Sequence, residues 1–371
     1  MTVFIQTCTL GSGSKTVAVK DTIDIQGLPT RAGSAALAQT EPAAHHAHVI
    51  ERLLSHSDFC INGKTNLHEF AFGVTGINQA TGTPTNPKYP HLIPGGSSSG
   101  SAVAVASGQA DMALGTDTGG SVRMPAACCG VFGLKPTFGR VSREGVLPKH
   151  SSLDCVGSFA RTADDLWHIT KAMLEDLQDV QLPSTISLGR LTPSCADEVS
   201  KTLDNALAKL SYVQYPVELP SLDEAFKAGL TIINQETWAA FNEYANNPLV
   251  GADIRKRLLM ASNTTAEAVQ EAEAVRAHFT AEVDQALNKV TALVLPTLPR
   301  IPLALADALA GKTDLTLTAL IRPFNLSGHP ALTLPLISTD GEPVGLQLVG
   351  RKGDDERLCL LAQQIQQQLG D

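Results

Sequence analysis

The sequence predicts a layered α/β protein. Short apolar segments typical of buried strands occur near both ends of the chain, at residues 15–21, 292–296, 331–337 and 343–350. Amphipathic helical patterns occupy the residues between and after them. Strands from both halves are expected to build one common sheet, so a single domain over residues 1–371 is predicted.

Apolar residues at helical spacing predict four helices. Residues 41–59 start with Pro42, which is favoured in the first turn of a helix. Residues 160–178 place Thr162 as an N-cap, and the region from about 180 to 290 is expected to be mostly helical, with no catalytic signature. The four apolar stripes consist of Val49, Ile50, Leu53 and Leu54; Leu166, Ile169, Met173 and Leu177; Val275, Phe279, Val283 and Leu287; and Leu358, Leu361, Ile365 and Leu369.

Composition limits the functional class. Hydrophobic residues make up 43% of the 371 residues and charged ones 18%, as in a well-buried globular protein. The net charge of −9 argues against nucleic-acid binding, since neutralising phosphates needs a basic face. No run of about 18 apolar residues occurs, so no membrane association is predicted. The seven cysteines contain no CxxC pair, which argues against zinc and disulfides and for reduced thiols in the cytoplasm.

Two glycine- and serine-rich turns carry the chemistry. The first, PGGSSSGSAVAVASG at residues 94–108, continues into a packed helix, and the second lies in ALGTDTGGSVRMPAACCGVFGLKPT at residues 113–137. A P-loop is excluded because no lysine follows Gly100, although a generic anion nest stays open. A serine nucleophile needs a base, which a buried lysine of lowered pKa can provide, and flanking glycine N–H groups can hold an oxyanion. These residue types indicate serine, lysine and an oxyanion hole, and leave open which serine attacks.

Six motifs, in their order along the chain, resemble the amidase signature family. They are VAVKDTIDIQGLPTRAGS, GKTNLHEFAFGVTGINQATGTPTNP, the two turns above, and RPFNLSGHPALTLP followed by PVGLQLVGR. The resemblance covers roughly residues 15–170 and 291–352, while residues 171–290 form a variable segment that does not contribute. It implies a layered α/β/α fold with a central mixed, twisted sheet. No cofactor and no metal ion are implied.

The resemblance also implies the catalytic residues. Lys20 in VAVKD matches the family's lysine, Ser97 in GGSSSG matches a bridging serine that follows a cis peptide bond, and Ser121 in TDTGGSVR matches the nucleophile. In the implied mechanism, neutral Lys20 takes a proton from Ser97, which takes one from Ser121 as Ser121 attacks the amide carbonyl. An acyl-enzyme forms, which water hydrolyses.

Neighbouring positions are expected to support this triad. The resemblance implies an oxyanion hole made by the backbone N–H groups of Thr118, Gly119, Gly120 and Ser121. Ser98 and Asp117 match positions that hydrogen-bond around the site, and Arg123 is expected to fasten the loop after the nucleophile.

Rival site residues are weaker candidates. Cys128 and Cys129 invite a thiol-nucleophile interpretation, but small core residues are favoured for both. His150 and His329 are candidate bases of a Ser-His-Asp arrangement, yet no GxSxG elbow accompanies Ser121. Arg322 is a candidate for binding a substrate carboxylate, with a surface salt bridge as the favoured alternative.

The predicted activity is hydrolysis of the C–N bond of a small amide or ureido acid. The segment SSLDCVGSFARTADDL is similar to allophanate and indole-3-acetamide hydrolases, so the substrate stays open between these classes. One alternative is the glutamine-hydrolysing A-type component of an amidotransferase made of several subunits, and the shortness of the chain places it second to a free-standing hydrolase. Another is an inactive scaffold, which would be expected to lack a triad residue. The predicted partner is a small-molecule amide, with a homodimer left open.

Overall fold

The computed structural model describes residues 2–370 and builds one mixed sheet from both halves of the chain. Within that range the sheet has eleven strands. They are β1 Phe4–Leu10, β2 Lys15–Lys20, β3 Phe59–Thr65, β4 Met112–Asp117, β5 Phe132–Lys135, β6 Cys155–Ala160, β7 Ser187–Arg190, β8 Val213–Pro216, β9 Ala292–Pro296, β10 Ala331–Ile337 and β11 Pro343–Val349.

Helices connect and cover these strands. They are α1 His48–Leu54, α2 Ser99–Ala106, α3 Arg123–Cys129, α4 Ala163–Met173, α5 Asp197–Leu207, α6 Leu222–Phe241, α7 Ala252–Ala261, α8 Ala266–Leu287, α9 Leu305–Leu309, α10 Pro323–Leu326 and α11 Asp355–Leu369. Among residues 2–370, none of these helices is long and apolar enough to cross a membrane.

The strand order is β1-β3-β2-β4-β6-β5-β10-β11-β9-β7-β8. Strand β2 runs parallel to both β3 and β4, and β7 runs parallel to β8 and β9. The six other pairings are antiparallel. The sheet is therefore mixed, as expected.

Alternation along the strands separates two helical layers, because successive side chains of a strand point to opposite faces. In β2, Val17 and Val19 join a core with α1, α4, α5 and α11, whereas Ala18 between them packs with α2 and α3 on the other face. Strand β9 does the same: Val294 belongs to the first core, while Leu293 and Leu295 pack with α6 and α8. The sheet is thus covered by helices on both faces, which confirms the layered α/β prediction.

Several predicted elements are confirmed. Strands β2, β9, β10 and β11 lie where the apolar segments indicated, and Thr162 caps α4 by accepting a hydrogen bond from Asp165 N at 3.1 Å. In α8, Phe279, Val283 and Leu287 are buried.

Other predictions are wrong. Of the helix expected over residues 41–59, only α1 is formed. The residues before α1 are held in another conformation, because Ala43 N donates to Leu28 O at 3.0 Å and Ala47 N donates to Asp24 O at 2.9 Å. These bonds tie residues 41–47 to the loop after β2. Leu177 is exposed beyond the end of α4. The region expected to be mostly helical also contributes β7 and β8 to the sheet.

Candidate active site

The parallel pairing of β2 and β4 brings the first two polar groups together. Lys20 is the last residue of β2, and Thr116 and Asp117 end β4. Since the register aligns Val19 with Leu114, the carboxyl ends of both strands lie at the same edge of the sheet. Ligand sites of α/β sheets commonly lie at such an edge.

Lys20 is completely buried there and has two hydroxyl partners. Its Nζ lies 2.7 Å from Ser97 Oγ and 2.7 Å from Thr116 Oγ1. Burial lowers the pKa of Lys20 to about 7, with the carboxylates of Asp154 and Asp117 opposing part of that shift. An amine with this pKa is partly neutral at physiological pH and can act as a base.

Ser97 and Ser98 connect this lysine to Ser121. The peptide bond between Gly96 and Ser97 is cis, as the resemblance implied. Ser98 N donates to the carbonyl oxygen of Ser121 at 3.3 Å, and Ser98 Oγ donates to Thr116 O at 3.2 Å. Ser97 is fully buried, whereas Ser121 is partly exposed. The structure thus shows the contact between Lys20 and Ser97 and a backbone contact between Ser98 and Ser121.

The loop between β4 and α3 is shaped by the carboxylate of Asp117. That carboxylate accepts hydrogen bonds from Gly120 N at 2.7 Å and Val122 N at 3.1 Å. Gly120 has a φ of +116°, and a Cβ there would lie 2.2 Å from Ile321 Cδ1, so only glycine fits.

This contact corrects the expected oxyanion hole. The N–H of Gly120 is occupied by Asp117 and is not free to bind an oxyanion. Within the described chain, the N–H groups of Thr118, Gly119 and Ser121 have no protein acceptor. These three donors remain candidates.

Arg123 is fully buried and anchors the same loop through Asp117. Its guanidinium pairs with the Asp117 carboxylate at 3.0 Å and donates to Asn325 Oδ1 at 2.6 Å and Gln347 Oε1 at 2.9 Å. Asn325 in turn donates to Asp117 Oδ1 at 2.8 Å. Burial alone would raise the pKa of Asp117, but the charge and hydrogen bonds of Arg123, and then Asn325, hold it well below its usual range. The network keeps Asp117 ionised and the loop fixed.

Thr118 has a separate anchor. Its Oγ1 donates to Asp154 Oδ1 at 2.9 Å, and the other oxygen of Asp154 accepts from Arg143 Nε at 2.9 Å. Asp154 is fully buried, and Arg143 balances its charge. Through its hydrogen bond with Thr118, Asp154 positions the start of the glycine turn.

The rival nucleophiles and bases lack suitable surroundings. Cys128 and Cys129 are fully buried, and burial raises the pKa of both thiols well above the usual value. His329 bonds Asp284 Oδ1 and Ser327 Oγ, each at 2.9 Å, and burial lowers its pKa to about 4. His150 is exposed.

The expectation of a surface salt bridge at Arg322 is wrong. Arg322 is only 3% exposed and has no ion pair within residues 2–370. It immediately precedes α10, where it packs against α6.

Three residues of the network were not predicted from the sequence. Thr116, Asn325 and Gln347 all lie inside quoted motifs, in LGTDTGGS, RPFNLSG and PVGLQLVG. A polar residue in an otherwise apolar strand, as at Gln347 in β11, was the available signal, because such a side chain needs a buried partner. The identity of that partner depends on contacts across the sheet.

The sequence model of the Amidase family matches residues 16–188 and 187–359. The chain therefore belongs to the amidase signature family, as its motifs implied, and is an enzyme that acts on amide C–N bonds.

Individual relatives agree with this assignment. The chain is 34% identical to the A subunit of the glutamyl-tRNA(Gln) amidotransferase of Halobacterium salinarum, over 95% of this chain and 95% of that protein. Identity to the protein of the same name in Chloroflexus aggregans is 34%, over 92% of this chain and 80% of that protein. A crystal structure of an amidase superimposes with a TM-score of 0.86 at 33% identity, covering 97% of this chain and 85% of that one.

Proposed function

We propose that the chain hydrolyses a primary carboxamide through Ser121, Ser97 and Lys20, and releases ammonia. The observation that carries this proposal is the contact of 2.7 Å between Lys20 Nζ and Ser97 Oγ, made by a buried amine whose pKa is lowered to about 7. Such an amine is poised to move a proton at neutral pH.

The proposed reaction has two halves. Neutral Lys20 accepts the Ser97 proton while Ser97 accepts the Ser121 proton, and Ser121 Oγ forms a bond to the carbonyl carbon. The tetrahedral intermediate collapses with cleavage of the C–N bond, and the proton returns along the same path to the leaving nitrogen. Water then attacks the carbonyl carbon of the acyl-enzyme ester while the relay takes one of its protons. The bond between that carbon and Ser121 Oγ breaks, the relay returns the proton to Ser121 Oγ, and the carboxylic acid leaves.

The oxyanion of each intermediate is assigned to the free N–H groups of Thr118, Gly119 and Ser121. Asp117 supports this role indirectly, because its hydrogen bond with Gly120 N fixes the turn that carries these three N–H groups. Loss of one such donor typically costs about 2.7–4 kcal/mol of transition-state stabilisation.

Two physiological substrates are candidates. The two relatives compared above are A subunits of glutamyl-tRNA(Gln) amidotransferases, which supports glutamine hydrolysis within a complex better than the free-standing hydrolase that the sequence placed first. The similarity to a crystallised amidase favours the second candidate, hydrolysis of a free small amide. In both, the whole chain acts as one catalytic domain.

The test is ammonia release from glutamine, small primary amides, ureido acids and aryl-acetamides, measured with the chain alone. Release from glutamine supports the first candidate, and release from another amide supports the second. If no substrate releases ammonia, and none does after co-expression with the other components of an amidotransferase, the chain is the inactive scaffold and the proposal is wrong.

The pH dependence of kcat/KM is expected to follow Lys20. Because the base form of Lys20 is required and its pKa is about 7, kcat/KM should rise about tenfold per pH unit below 7 and level off above it. The profile is measured on a neutral amide, so that the substrate itself does not titrate. A flat profile between about pH 5.5 and 8.5 would contradict the assignment of Lys20 as the base.

A further inference from the structure

The side chain of Arg322 lies beside the glycine turn of the candidate active site. A Cβ placed on Gly119 would lie 3.4 Å from Arg322 Nε, and a Cβ placed on Gly229 of α6 would lie 3.0 Å from Arg322 Cγ. The guanidinium therefore runs between α6 and the turn that carries the candidate oxyanion donors. Two glycines border its path.

This guanidinium has no hydrogen-bond or ion-pair partner among residues 2–370. Its Nε and Nη1 atoms are buried and make no hydrogen bond in the described part of the chain, and the residue is 3% exposed. The ring of Phe226 covers one face of the Arg322 guanidinium, with the ring centroid 4.5 Å from Arg322 Cζ. The N–H groups at the edge of the guanidinium still need a hydrogen-bond acceptor. Arg123, a few residues from Gly119, shows the contrast, because its equally buried charge is paired with Asp117.

A second arginine, Arg257, adds positive charge that acts on Arg322. Arg257 of α7 lies over the ring of Phe72 at 4.6 Å and has no ion pair among residues 2–370. The nearby carboxylate of Asp253 is 3.5 Å from His68 Nε2. Burial, and then the like charge of Arg257, lower the pKa of Arg322 to about 9. An unpaired buried cation is costly, and an arriving anion would offset that cost.

We propose that Arg322 binds a carboxylate of the substrate, so that the preferred substrates are amide acids. This inference rests on the proposed hydrolysis at Ser121. The fork of N–H donors on a guanidinium suits a carboxylate, and the planar contact with Phe226 holds it in place.

The position of Arg322 limits the size of such a substrate. The reacting carbonyl oxygen must lie about 3 Å from the backbone donors at Gly119 and its neighbours, and Arg322 borders the same glycine. The carboxylate is therefore expected only a few bonds from the amide. Succinamate and glutamine meet this requirement, whereas butyramide has the carbon skeleton of succinamate without the carboxylate oxygens.

The kinetic test compares succinamate with butyramide. Wild type is expected to prefer succinamate, and Arg322→Met is expected to reduce the ratio of the two kcat/KM values by about 10- to 100-fold, the usual worth of a charge-assisted hydrogen bond. Lys227→Met removes an exposed cation next to Phe226 and is the matched control, with the ratio unchanged. An unchanged ratio in Arg322→Met would overturn the inference.

Binding is measured separately from catalysis, so that failure of the proposed function can be told apart. Succinamate is expected to raise the melting temperature of Ser121→Ala but not that of the double variant Ser121→Ala/Arg322→Met. Arg322→Met alone should melt no lower than wild type, because it removes an unpaired charge. If succinamate stabilises both proteins equally or neither, the carboxylate site is wrong; if it binds but no amide is hydrolysed, only the proposed function fails.

Discussion

Ser121→Ala is expected to lower kcat/KM for amide hydrolysis by at least about 10³-fold, because it removes the atom that bonds the substrate carbon. Ser121 is partly exposed and its side chain is not required by the buried network, so the variant should fold with an unchanged melting temperature. Ammonia release under saturating and subsaturating substrate measures the effect.

Ser99→Ala is the matched control for this prediction. Ser99 belongs to the neighbouring serine run, is fully buried, and has an Oγ without a hydrogen-bond partner in the described residues. Removing that hydroxyl should leave kcat/KM within about threefold of wild type, as expected where no interaction is lost. Retention of more than about a tenth of the activity in Ser121→Ala would show that another residue is the nucleophile.

Arg123→Met is expected to lower the free energy of unfolding by about 3–5 kcal/mol, the usual cost of removing one partner of a buried ion pair. It leaves the buried carboxylate of Asp117 without its main counter-charge, and it also removes donors to Asn325 and Gln347. Denaturant unfolding measures this loss. Activity should fall as well, because the loop that presents the candidate oxyanion donors loses its anchor.

Arg300→Met serves as the control for Arg123. Arg300 pairs with Asp314 at the surface, where both groups reach solvent, so its loss should cost no more than about 1 kcal/mol. A loss below about 1 kcal/mol in Arg123→Met would contradict the structural role of the Arg123–Asp117 pair.

Local sequence patterns located four of the eleven strands described within residues 2–370. Apolar runs located β2, β9, β10 and β11, because strands buried on both faces are apolar throughout. Strands β7 and β8 were missed because each is only four residues long and lies among helices. The helix over residues 41–59 was overestimated because bonds to the distant loop after β2 outweighed its local pattern.

Partners across the fold could not be predicted from spacing. Gly120 matched an oxyanion donor by position, yet its N–H is turned to the Asp117 carboxylate. Arg322 suggested a surface charge because arginines are mostly exposed, but α6 and the glycine turn enclose it. Both outcomes depend on contacts between residues far apart in the chain.

Trapping the acyl-enzyme would identify the nucleophile itself. The protein is mixed with p-nitrophenyl butyrate, quenched in acid within the first turnover, and digested for peptide mass spectrometry, with heat-denatured protein as the control for nonspecific acylation. We expect a butyryl group on Ser121 of the native wild type, and none at residue 121 in Ser121→Ala. A butyryl group on Cys128, Cys129 or another serine in native wild type, with Ser121 unmodified, would contradict the assignment of Ser121 as the nucleophile.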